Sequence, residues 1–191
     1  MNKVVFDIET KNIFEDVGKR DPSLLDISVV GVYDYESNKY ESFLEEEFPK
    51  LWPIIEKAKV LIGFNSDYFD IPLLNKYYPG DLTKIKSLDI LKEIRSSFGR
   101  RMSLNQIAEG TLGIKKSGFG LQATYWWKQG EIEKIKKYCL DDVKITKEVY
   151  EYALENKELK FKEGGKIIPV KLNTEDWEKY SPSGITPTLP F

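Results

Sequence analysis

The sequence predicts an α/β protein with a mixed central β-sheet flanked by helices. Three observations carry this prediction. Strand-like segments come first, ahead of any helical period; a short apolar run then follows an amphipathic helix; and one long helical pattern closes the core. The chain is expected to fold as a domain over residues 1–156, followed by a C-terminal hairpin and a proline-containing tail over 157–191.

The first strand is Val4-Val5-Phe6-Asp7-Ile8-Glu9-Thr10, and it carries two carboxylates where a strand is usually apolar. Alternation places Val4, Phe6 and Ile8 on one face and Val5, Asp7 and Glu9 on the other. Two residues of rise separate the Asp7 and Glu9 Cα atoms by roughly 6.5 Å, close enough for both side chains to converge on a cation. The plain alternative is an edge strand whose polar side faces water, so partners elsewhere in the chain must decide.

Lys11 to Pro22 is polar and reads as a loop. Asp26 to Tyr35 and Lys39 to Leu44 are rich in β-branched and aromatic residues, and Glu36-Ser37-Asn38 between them reads as a hairpin turn. Glu46 to Lys57 has the spacing of an amphipathic helix, with Pro49 tolerated in its first turn and Pro53 at a position where proline bends a helix. Lys59 to Phe64 is nearly continuously apolar, which suits a parallel strand buried on both faces beside the first. Ile71 to Tyr78 reads as a short helix stopped by Pro79-Gly80, and Ile85 to Ser87 as a short edge strand.

Asp89 to Phe98 and Ser103 to Gly110 read as helices with Asp89 and Ser103 as N-caps, and Thr111 to Leu121 as a loop. The longest helix is predicted from Glu131 to about Asn156. Its inner face runs through Ile132, Ile135, Tyr138, Cys139, Asp142, Val143, Ile145, Val149 and Tyr152. Leu159 to Phe161 and Lys166 to Val170 flank Glu163-Gly164-Gly165 as a β-hairpin, and Pro169 makes its second strand an edge. Ser181 to Phe191 has three prolines and little to pack.

Composition narrows the chemistry. The 191 residues are 41% hydrophobic and 31% charged, with no apolar run of the ~20 residues that span a bilayer. Met1-Asn2-Lys3 runs straight into the first strand, so a cytoplasmic location without a membrane is expected. The chain has no histidine and one cysteine, Cys139, which excludes Ser-His-Asp and Cys-His catalysis as well as histidine- or cysteine-clustered zinc. The net charge of −2 does not mark a nucleic-acid binder by itself.

Open sheets place ligand sites at strand ends. Asp7 and Glu9 lie near the end of the first strand, and Asn65 to Asp70 leaves the end of the later parallel one. On the long helix, Tyr138 and Asp142 share a face one turn apart. Asp7, Glu9, Asp70 and Asp142 converge in this reading, and four carboxylates in one cleft need cations. Oxygen-only ligation favours Mg²⁺ or Mn²⁺, and paired ions suit in-line attack on a phosphodiester. Asp67 and Asp141 stand as alternatives to their neighbours Asp70 and Asp142, each reading otherwise as a cap or solvated charge.

These residues resemble the DEDD superfamily of 3′-5′ exonucleases on the RNase H-like fold. Phe6-Asp7-Ile8-Glu9-Thr10 is similar to the first exonuclease motif of family B DNA polymerase proofreading domains. Gly63-Phe64-Asn65-Ser66-Asp67-Tyr68-Phe69-Asp70 with Ile71-Pro72-Leu73-Leu74 is similar to the second, and Tyr138-Cys139-Leu140-Asp141-Asp142 to the third in its tyrosine (DEDDy) form. Ser87-Leu88-Asp89-Ile90 and Ser103 to Ala108 resemble the connecting segments. The likeness spans Lys3 to roughly Tyr152, and with no polymerase palm or helicase motif it extends to stand-alone DnaQ-like relatives of the YprB type.

The resemblance implies a metal-dependent exonuclease acting on single-stranded 3′ ends, DNA favoured over RNA, releasing nucleoside 5′-monophosphates. It assigns Asp7 to bridging two divalent cations, Glu9 and Asp142 to completing the first site, Asp70 to the second, and Tyr138 to orienting water. Asn65 is expected to hydrogen-bond the substrate backbone, with Ile8 and Thr10 lining the terminal nucleotide. Arg100, Arg101, Lys115 and Lys116 lie in loops suited to phosphate contacts. Trp126 and Trp127 read as core rather than as stacking platforms. Two other functions fit the same fold: a nucleic-acid-binding or helicase-partner module docking through the C-terminal hairpin, and a structure-specific endonuclease.

Overall fold

The computed structural model describes residues 2–114 and 121–179. Lys115, Lys116 and the tail from Ser181 to Phe191 lie outside them. The central sheet contains β1 (Lys3–Thr10), β2 (Ile27–Asp34), β3 (Lys39–Phe43), β4 (Val60–Gly63) and β5 (Lys86–Asp89), in the order β3-β2-β1-β4-β5. β1 runs antiparallel to β2, from Val4 opposite Asp34 to Glu9 opposite Val29, and parallel to β4 only from Lys3 opposite Val60 to Val5 opposite Ile62. β4 and β5 are also parallel. The apolar runs explain the order: every residue of β2 and β4 is buried, whereas β3 begins with the exposed Lys39 and Tyr40 at an edge.

Between β1 and β2, the predicted loop contains a one-turn helix, α1 (Phe14–Val17), held where the Ile13 amide donates to the Asp16 carboxylate at 3.0 Å. The helix predicted from Glu46 starts later, as α2 (Phe48–Lys57), because Glu45–Glu47 forms a 3₁₀ turn whose Glu47 carboxylate accepts from the Leu44 amide. It continues through Pro53. α3 (Asp70–Asn75) begins one residue earlier than predicted and ends sooner, since Tyr77 and Tyr78 turn to pack on Phe48 and Trp52. Then follow α4 (Ile90–Phe98), α5 (Leu104–Leu112), α6 (Leu121–Lys128) and α7 (Ile132–Asn156), with the hairpin β6 (Glu158–Glu163) and β7 (Lys166–Lys171). Asp89 and Ser103 cap α4 and α5 as their residue types predict.

The sheet separates two apolar layers. Val4, Phe6, Ile8, Val30 and Val32 face Leu51 and Ile55 of α2 and Leu73 and Leu74 of α3. Val5 and Ile62 face Ile94 of α4, Ile107 of α5 and Val143 and Val149 of α7, and that layer continues into Leu159, Phe161 and Val170 of the hairpin. Tyr150 fills the inner side of α7, stacked on Trp177, and Tyr152 packs partly buried against the same layer. Gly31 on β2 sets how closely α7 approaches, because a Cβ there would stand 2.9 Å from Cys139 Sγ and 3.1 Å from a Val143 methyl. Among the described residues no helix is long and apolar enough to cross a membrane.

Candidate metal and nucleic-acid site

β1 outlasts its parallel partner. Pairing with β4 stops at Val5, while pairing with β2 continues to the end of the strand, so the β4 side of Phe6 to Thr10 opens into a cleft of about 440 Å³. The strand order reverses between β1 and β4, and such a switch point is where open sheets place ligands. Asp7, Glu9, Asn65, Asp70, Tyr138 and Asp142 all border this cleft, as do Ile8 and Thr10.

Asp7 and Glu9 project from the α7 face of β1, the face that alternation predicts. Asp142 meets them from α7. One carboxylate oxygen from each of the three lies within 4.8 Å of the others, with Glu9 and Asp142 buried. Tyr138, buried one turn before Asp142, packs its ring edge-on to Trp126 at 5.7 Å between centroids. Cys139 Sγ donates to the Asp7 backbone oxygen at 3.3 Å. Burial and the charges of Asp7, Glu9 and Asp142 push this thiol far above its ordinary pKa, so it remains a protonated donor rather than a ligand.

Asp70 enters from the opposite layer as the first residue of α3. It borders the cleft but lies outside the cluster of three. Burial, and then the charge of Asp89, push its carboxyl up to about 8, with Asp142 adding to the shift. The backbone N–H groups of Asp70 itself and of Ile8 oppose that rise. The Ile8 contact follows from the early end of the β1–β4 ladder, which leaves the amide edge between Asp7 and Glu9 to a side chain.

The loop into α3 is shaped at Gly63, where a Cβ would stand 2.5 Å from that of the fully buried Ser66. Asp89, at the end of β5, clamps the loop. Its carboxylate accepts from the amides of Asn65 at 2.8 Å and Asp67 at 3.2 Å while capping Leu91 at 2.9 Å and Lys92 at 3.3 Å. Sequence reading saw only the cap. The signal for more was an acid at the carboxyl end of a strand parallel to the site's neighbour.

The structure separates the other predicted residues. Ile8 belongs to the apolar layer as well as the cleft wall, and Thr10 Oγ1 donates to the Asn12 carbonyl at 2.8 Å. Arg101 reaches the cleft loop, donating from Nη2 to Asn65 Oδ1 at 2.9 Å. Arg100 instead makes a two-pronged contact with Glu163 on β6, at 2.6 and 3.1 Å. Asp67 pairs with Lys92 at 2.7 Å, and Asp141 is exposed, so neither joins the carboxylate cluster. Trp126 and Trp127 pack against Val29, Ala123, Ile135 and Cys139. Phe64, Phe69, Phe14 and Leu25 give the cleft an apolar wall that the motifs did not announce.

This donor set fits a hard divalent cation. Among the described residues three carboxylates converge from β1 and α7, the neighbouring Cys139 thiol stays protonated, and a fourth carboxyl nearby is driven towards its neutral form first by burial and then by the charge of Asp89.

No curated protein matches the chain by sequence. A solved family B DNA polymerase from the hyperthermophilic archaeon Pyrobaculum calidifontis is similar in fold, with a TM-score of 0.60 and 19% identity over 81% of this chain. The match covers 24% of the polymerase, so the chain spans about a quarter of that protein's length. The family model of the RNase H superfamily matches residues 4–154, from the first strand to the end of the long helix. With its five-stranded mixed sheet, its flanking helices and its acidic cleft at the end of β1, the chain belongs to the RNase H superfamily.

Proposed function

We propose that this protein is a metal-dependent 3′-5′ exonuclease that hydrolyses terminal phosphodiesters of single-stranded nucleic acid, DNA in preference to RNA, to nucleoside 5′-monophosphates. The observation that carries the reading is the convergence of Asp7, Glu9 and Asp142 within 4.8 Å, with Asp70 and Tyr138 in the same cleft. Fold alone would not suffice, since one fold serves many functions.

Asp7, Glu9 and Asp142 would hold one divalent cation, and Asp7 with Asp70 a second, Mg²⁺ or Mn²⁺ in each case. Bound there, the cations supply the positive charge that acidifies an attacking water and offsets charge on the departing 3′ oxygen. The residues divide the remaining work. Tyr138 presents its hydroxyl to the attacking water and fixes its direction; a phenol is too weak a base at neutral pH to take the proton. Asn65 donates to an oxygen of the substrate strand, and the apolar wall of Phe64 and Phe69 packs on the terminal base.

A time course on 5′-labelled single-stranded DNA and RNA of one sequence, with Mg²⁺, Mn²⁺ or EDTA, tests this reading. A metal-dependent ladder shortening from the 3′ end, absent from a folded Asp7→Ala variant, is the expected result. Full activity in Asp7→Ala, or cleavage of a circular single strand, removes the assignment.

A further inference from the structure

We infer that Arg101 is a positioning residue, which orients the Asn65 side chain so that its amide nitrogen, and not its oxygen, faces the substrate strand. The inference rests on the exonuclease reading and deepens it. Asn65 is held at two levels. Its backbone has φ +68°, in the left-handed region that a non-glycine residue rarely enters, and the Asp89 carboxylate fixes it there through the amides of Asn65 and Asp67. The backbone clamp leaves the side-chain torsions open, and Arg101 sets them.

The chemistry of the pair decides which way the amide points. A guanidinium carries only donors, so the Asn65 atom 2.9 Å from Arg101 Nη2 is the oxygen. The NH₂ branch is then turned from Arg101, with two protons to donate. Asn65 borders a cleft whose other polar groups are chiefly carboxylates, all of them acceptors when ionised. A donor there recognises an acceptor on the substrate: a phosphodiester oxygen or the terminal 3′ oxygen. Turned over, the same amide would set its oxygen against the phosphate.

Arg101 is itself on an anchored loop. Its neighbour Arg100 grips Glu163 of β6, and Met102 on the other side is buried in the core. The position of the Arg101 backbone therefore depends on the C-terminal hairpin as well as on α4 and α5.

A double-mutant cycle tests the assignment, using the full chain and Asn65→Ala, Arg101→Ala, Arg101→Lys and the double alanine variant. Single-turnover rates with Mg²⁺ and oligonucleotide affinities with Ca²⁺ are measured on one 5′-labelled single-stranded DNA. Asn65→Ala and Arg101→Ala are each expected to lower affinity by about 10-fold, and the double variant no further than Asn65→Ala, because coupled groups are not additive. Arg101→Lys is expected to rescue little, since lysine lacks the fixed planar fork. The dependence of affinity on salt should match that of the wild type.

Multiplying losses in the double variant, with a salt slope smaller by about 1, would show Arg101 on a phosphate and overturn the inference. Wild-type protein that binds the strand without shortening it would sink the exonuclease reading alone, and the cycle in binding would still decide this one. Absence of both binding and cleavage would overturn both.

Discussion

The thiol of Cys139 donates to the backbone oxygen of Asp7, a contact that accompanies the register of α7 against β1. The residue before Cys139 is Tyr138, and Asp142 follows one turn later on the same face. Gly31, opposite Asp7 on β2, provides the space. Gly31→Val should push α7 off the sheet. We expect a loss of about 1–3 kcal/mol in urea denaturation from overpacking, together with weaker Mn²⁺ binding in calorimetric titration. Unchanged metal affinity in the destabilised variant would show that the cluster does not depend on this register.

Asp141 and Asp142 are adjacent but inequivalent. Asp142 is buried in the carboxylate cluster, and Asp141 is exposed. Asp142→Asn should lower single-turnover cleavage on the order of 10²–10³-fold, while Asp141→Asn stays near wild type. Equal losses in the two variants would mean that net charge along α7, not ligation, governs the rate.

The metal-free protein should lose stability as the pH rises. The Asp70 carboxyl titrates near 8 in the folded chain and at an ordinary 3.8 when unfolded. Between those values the folded state holds a proton that the unfolded state has released, so this group's contribution is fully present below about pH 4 and gone above about pH 8, a change of a few kcal/mol. In EDTA, Tm should therefore be lower near pH 8 than near pH 5, and Mg²⁺ should restore it at the higher pH. Asp70→Asn should flatten the EDTA profile and raise Tm near neutrality. A slope as steep in Asp70→Asn as in wild type would place its origin elsewhere.

The hairpin is tied to the rest of the domain by apolar burial rather than by its ion pairs. Phe161 is fully buried beneath α5, with Phe98 edge-on at 5.4 Å, whereas the Arg100–Glu163 pair is exposed. Phe161→Ala should cost about 3–5 kcal/mol in chemical denaturation. Glu163→Ala should leave Tm close to wild type, as exposed pairs add little. If Glu163→Ala were the worse of the two, the docking of the hairpin would be electrostatic.

Much of this architecture was legible in the residues. Period-two alternation puts Asp7 and Glu9 on one face of β1, and the four-residue interval puts Tyr138 and Asp142 on one face of α7; both follow from backbone geometry alone. The caps at Asp89 and Ser103, the buried strand β4 and the hairpin around Gly164-Gly165 were readable for the same reason. The one-turn helix α1 and the late start of α2 were not, because each depends on a carboxylate turning back to a particular backbone amide.

The local pattern thus determined which carboxylates share a face and which elements carry them. Tertiary structure decided how those faces meet: that β4 parts from β1 after Val5, that the freed amide of Ile8 turns to Asp70, and that Asp89 holds the loop of Asn65. It also sent two adjacent arginines apart, Arg100 to Glu163 and Arg101 to Asn65. Neighbours in sequence share a local conformation, but their partners lie 63 and 36 residues away, and only the packing of whole elements brings such groups within hydrogen-bonding distance.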